Sequence, residues 1–111
     1  MTLGHWILDE RGEKPIPCDL MTWAKWFGKS KNRIVKQEWI DDSKVSTIFL
    51  GIDHNFDFEE DAPPVLWETM VFNGPMNNEM DRCSGNREQA EAMHMKMVER
   101  VKSLEGQKKA P

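Results

Sequence analysis

The sequence predicts an α+β fold: a small antiparallel sheet of three to four strands with two helices packed on one face, in the order β-α-β-β-β-α. Three observations predict it. Two β-branched and aromatic runs, residues 33–40 and 44–52, flank the short turn Asp41-Asp42-Ser43, as an antiparallel hairpin requires. A third run, 65–72, alternates in character along the chain. Two further stretches, 18–27 and the chain from Asn86 onward, repeat their apolar residues every three or four positions, as a helix does.

The elements follow in order. His5-Trp6-Ile7-Leu8 is a short apolar run before the charged turn Asp9-Glu10-Arg11-Gly12 and suits a strand. Lys14-Pro15-Ile16-Pro17 must be extended, because each proline restricts itself and the residue before it. Asp19 stands as N-cap of the first helix, whose stripe is Leu20, Trp23, Ala24 and Phe27, with Trp26 outside it. Gly28 is placed for the left-handed turn that ends the helix. Residues 44–52 are apolar on both faces, which predicts the central strand. Residues 53–64 form a long loop. In the third run Leu66, Glu68, Met70 and Phe72 face one way and Val65, Trp67, Thr69 and Val71 the other. Asn86 and Gln89 have capping-box spacing. Ala90, Met93, Met97, Val101 and Leu104 form the stripe of the last helix.

With 111 residues, five Trp and five Phe, the chain has material for one core, predicted over residues 1–105 with a flexible tail at 106–111. No apolar run approaches the roughly 18 residues of a membrane span. The first residues lack the basic and apolar regions of a secretory signal, so a cytoplasmic protein is expected. Two cysteines, Cys18 and Cys83, build no disulfide framework. Cys18 at a helix start is a candidate for a lowered pKa; burial is the alternative for both thiols.

Charge is unevenly spread. Residues 37–81 hold eleven acids and one cation, while the flanking segments are each net +3 and the whole chain is −4. An acidic centre repels nucleic acid and attracts basic surfaces. Its densest part, Asp57, Glu59, Glu60 and Asp61, is interleaved with Phe56 and Phe58, a combination that suits partner binding. The alternative is a solvated acidic loop. Asp53, Asn55, Asp57 and Glu59 alternate like calcium ligands, but Phe58 and Pro64 occupy the positions that need glycine and a bidentate acid.

Other constellations remain open. Asp53 and His54 lie where the central strand meets the loop, and with Glu68 and His94 they are candidates for metal binding or acid–base work in a small metal-dependent hydrolase. The bland reading is that Asp53 caps a turn and His54 bonds locally. Lys25, Lys29, Lys31, Arg33 and Lys36 cluster near Trp23, Trp26 and Trp39, a pattern that can grip single-stranded nucleic acid, although the acidic balance disfavours it. Met95, off the core stripe, is a candidate for a partner or dimer surface. No phosphate-binding glycine loop, nucleophile elbow or zinc-protease helix is present, and no cofactor is implied.

Several stretches carry a resemblance: residues 44–56 (KVSTIFLGIDHNF), 63–72 (PPVLWETMVF), 81–84 (DRCS), 90–94 (AEAMH) and 17–20 (PCDL). Together they resemble a family of small proteins encoded by bacteriophages, prophages and bacterial mobile elements. The resemblance covers most of residues 5–102. It implies a bacterial or phage cytosolic origin. It implies no catalytic residues. The acidic centre and the lack of catalytic motifs add the expectation of a non-enzymatic accessory protein that binds a host macromolecule, with inhibition of a bacterial defence system among its roles.

Overall fold

The computed structural model describes residues 4–54 and 62–109. Its elements are β1 (His5–Leu8), β2 (Pro15–Cys18), α1 (Leu20–Lys29), a 3₁₀ turn (Lys31–Arg33), β3 (Ile34–Ile40), β4 (Ser43–Phe49), β5 (Trp67–Phe72), β6 (Met80–Cys83) and α2 (Arg87–Lys109). The predicted α+β class is the one observed. Strands β3-β4-β5-β6 form an antiparallel sheet in sequence order, with β4 internal as expected, and β1-β2 form a separate two-stranded hairpin.

Two strands went unpredicted. β2 contains Pro15 and Pro17, which are tolerated because β2 pairs on one side only, with β1. β6 is a four-residue edge strand with three exposed positions, so it carries no apolar signal. Only α2 is laid along the four-stranded sheet; α1 packs against β1. α1 reaches the core beneath α2 through Trp26, whose ring meets Phe49. The last helix also runs to Lys109, past the boundary expected at 105.

Local chemistry sets the helix ends. Asp19 accepts the Thr22 backbone N–H at 2.7 Å. Asn86 Oδ1 accepts the Glu88 N–H at 3.1 Å, and Gln89 Oε1 returns to the Asn86 N–H at 2.9 Å, closing the capping box. Gly28 does not end α1. It lies inside the helix, and Ser30 caps it in extended conformation. The stripe of α1 is also rotated from expectation: Leu20 is exposed and Trp26 is the residue that reaches the core.

The core has two parts, both on the α2 side of the sheet. Leu8, Phe49, Leu66, Trp67, Ala90 and Met93 form one, joined by Trp6 and Trp26. Val45, Val71, Met76, Met97, Val98 and Val101 form the other. Phe49 is fully buried, with the Trp67 ring 4.8 Å and the Trp26 ring edge-on at 5.6 Å from its own.

Arg87, the first residue of α2, ties the N-terminal half to this core. Its guanidinium donates to the carbonyls of Gly12 (3.1 Å), Asn32 (3.0 Å) and Ile34 (3.1 Å), while its backbone N–H donates to Glu13 O at 2.8 Å. At the other end of the hairpin, Trp6 N–H donates to Gly51 O at 2.8 Å. Gly51 has φ +73°, and a Cβ there would run into the Trp23 indole.

Because Phe49 fills the centre of the larger cluster, Phe49→Ala is expected to lower unfolding stability by about 3–5 kcal/mol, read by chemical denaturation.

Candidate functional site

The alternation of the strands divides the sheet chemically. Val45, Thr47, Phe49, Trp67, Thr69 and Val71 turn toward α2 and are buried. Two threonines in that apolar set need partners. They are directly opposed in the β4–β5 register, and their hydroxyls are 2.6 Å apart. Thr47 Oγ1 is also 2.6 Å from His94 Nδ1, and His94 Nε2 is 2.7 Å from Glu38 Oε1 on β3. Lys36 Nζ is 3.7 Å from the same carboxylate oxygen. The result is a continuous polar chain, Thr69–Thr47–His94–Glu38, running from the middle of the sheet to its β3 edge.

The protons can be placed by the acceptors. Glu38 is ionised, its carboxyl held below the ordinary value near 4.5 first by the His94 bond, against burial, and with help from the charges of Lys36 and Lys102. In the neutral ring Nε2 carries the hydrogen and donates to Glu38, leaving Nδ1 to accept from Thr47, which in turn accepts from Thr69. Every buried polar atom in that chain is then partnered.

This connectivity is that of an acid–base–hydroxyl triad, but the hydroxyl end is closed. Thr47 is 0% exposed and Thr69 is 0% exposed, so neither oxygen meets a substrate. Solvent reaches only the Glu38 end, where a cleft of about 260 Å³ opens between β3 and α2, lined by Val35, Lys36, Glu91, His94 and Met95. The chain of bonds therefore holds α2 in register on the sheet.

The residues proposed as metal ligands are not brought together. Asp53 Oδ1 accepts the Val65 backbone N–H at 2.9 Å. His54 Nδ1 is bonded to the Ile52 carbonyl at 2.7 Å. Glu68 accepts from Arg82 Nε at 2.9 Å on the sheet face turned away from α2, so it and His94 lie on opposite sides of the sheet. Among the described residues, no group of three or more His, Cys, Asp or Glu side chains is placed to hold a metal ion. The loop candidates Phe56, Asp57, Phe58, Glu59, Glu60 and Asp61 lie outside the described residues.

Of the tryptophans near the cationic cluster, Trp23 and Trp26 are engaged within the chain. Arg33 sits over the Phe27 ring at 5.1 Å, and Trp23 stacks on Phe27 at 5.0 Å. Trp26 is directed into the core, while Lys25 and Lys29 rim a broad groove of about 540 Å³ beside it. The lowered thiol pKa expected for Cys18 at the helix start is not found. Burial and the neighbouring Asp19 raise the pKa of Cys18, and burial with nearby Asp81 pushes Cys83 up to about 11.

What sequence reasoning missed is the far face of the sheet. Its register rows are Trp39–Lys44–Phe72, then Gln37–Ser46–Met70–Met80, then Ile34–Ile48–Glu68–Arg82. Among the described residues no helix lies across it, and Trp39 is 62% and Phe72 42% exposed.

Thr47→Val removes the hydrogen that His94 Nδ1 accepts and is expected to cost about 1–3 kcal/mol of unfolding stability, measured in urea. Glu38 gives a pH dependence of known sign. A folded-state value depressed below the unfolded one stabilises fully above the ordinary carboxyl range and is lost as pH falls through the folded value. Between about pH 6 and pH 3, wild-type stability should therefore fall more steeply than that of Glu38→Gln; parallel curves would show that this bond contributes nothing to the acid limb.

Compared with known proteins, the chain matches no family model, no curated sequence and no solved structure at a significant level.

Proposed function

We propose that the chain works by docking onto another macromolecule, a host protein, and transforms no substrate of its own. The observation that carries this reading is the uncovered sheet face. Ile34, Trp39, Phe72 and Met80 are large apolar side chains exposed on the sheet face that no second layer covers among the described residues. The candidate acid–base groups support it from the other direction, since His94, Glu38, Asp53 and Glu68 are each engaged in a bond that fixes the fold.

The partner surface is basic with an apolar centre. The acidic stretch Asp57, Glu59, Glu60 and Asp61, with Phe56 and Phe58, supplies the charge that steers such a partner, and the sheet face supplies the desolvated contact. The resemblance to phage and prophage proteins supports a reading as an accessory protein acting on a component of the bacterial host, with defence systems among the targets.

Affinity capture from a bacterial lysate, followed by titration of the purified captured protein, tests the reading. Phe72→Ser with Met80→Ser should weaken binding at least tenfold, and reversing the four loop acids to lysine should slow association most at low salt. Binding indifferent to both sets of changes would defeat it, as would turnover of a small substrate lost on Glu38→Gln.

A further inference from the structure

We infer that β3 is a self-pairing edge, and that two copies of the chain join through antiparallel β3–β3 contacts about a two-fold axis at Gln37. This goes beyond the docking function and centres on the strand edge rather than the open face, sharing only Ile34 and Trp39 with it.

β3 is the terminal strand of the sheet, so among the described residues one side of its backbone has no strand beside it. Which residues point outward follows from the ladder. Val71 N–H donates to Glu79 O on the β6 side, so residues 70 and 72 turn toward β4. Their partners Ser46 and Lys44 turn toward β5, which leaves Val45 and Thr47 bonding to Glu38 and Lys36. Gln37 and Trp39 therefore present their N–H and C=O groups outward. At the start of the strand, Ile34 O is capped by Arg87.

Charged residues on an edge strand usually prevent pairing. Here the two charges, Lys36 and Glu38, flank Gln37 with opposite signs, and both lie on the α2 side of the sheet. An antiparallel pair centred on Gln37 sets each Lys36 against the other copy's Glu38, giving two cross-strand ion pairs. Centring the pair on Lys36 or on Glu38 instead opposes like charges, so the signs disfavour both neighbouring registers. The register centred on Gln37 is also the one in which the outward Gln37 groups bond to their symmetry mates.

The flanks agree with it. Beyond the charges the strand is apolar at both ends, Ile34-Val35 and Trp39-Ile40. A bulge at 34–36 keeps Ile34 on the open face, where the other copy's exposed Trp39 arrives. On the opposite side, the Glu38–His94 cleft opens along the same edge, and pairing covers its Val35 and the half-exposed Met95.

The test is sedimentation of the purified chain from low micromolar to several hundred micromolar concentration. The expected result is a reversible shift from 13.0 kDa to twice that mass. Gln37→Pro removes an outward N–H and leaves the bonds to β4 intact, so it should give a folded monomer by circular dichroism. Lys36→Glu should weaken association at least tenfold. A chain that stays monomeric throughout, or a dimer that survives Gln37→Pro, would overturn the proposal.

Discussion

The seat of α2 on the sheet depends on a polar contact inside an apolar interface. Ala90, Met93, Met97, Val98 and Val101 supply area, but apolar packing alone tolerates sliding. His94, 1% exposed, cannot slide, because its two nitrogens must meet Thr47 and Glu38 from different strands at once. Ser43 and Glu105 repeat the device near the far end of the helix, with the buried hydroxyl donating to Glu105 Oε1 at 3.0 Å. Gly74 lies against that pair with φ +77°, and a Cβ there would strike the Ser43 hydroxyl. Two polar locks along one helix fix both its rotation and its axial position.

With α2 so placed, the molecule has one helix layer on one side of the sheet and nothing described on the other. It is only 20 Å across its shortest dimension. Of the acids in the middle segment, Glu38, Asp53, Glu68 and Glu79 bond within the chain to His94, Val65 N–H, Arg82 and Arg100 respectively.

Features set by neighbours in the chain were legible in the sequence. Asp19 and Asn86 cap as their spacing requires, and the alternation of β5 divides Trp67, Thr69 and Val71 from Glu68, Met70 and Phe72 as read. The rotation of α1 was not legible. Leu20 fits a helical stripe, but the hairpin and Phe49 are what draw Trp26 inward, and nothing local encodes their position. The candidate site was half legible. His94 stood out as a polar residue beside a core stripe, yet its partners Thr47 and Glu38 lie 47 and 56 residues away and belong to two strands. The sequence reading grouped it instead with Asp53, His54 and Glu68, which the sheet scatters. The bare sheet face left no mark in the strand pattern, because Ile34, Met70 and Phe72 look as apolar as core residues.

The Arg87 anchor has a consequence for biosynthesis. Its guanidinium joins carbonyls that precede it by 53, 55 and 75 residues, so the β1–β2 hairpin and the 3₁₀ turn lack this fastening until the start of α2 has left the ribosome. Translation therefore delivers most of the polypeptide before its early portion can be clamped in place, and folding concludes with the emergence of the last helix.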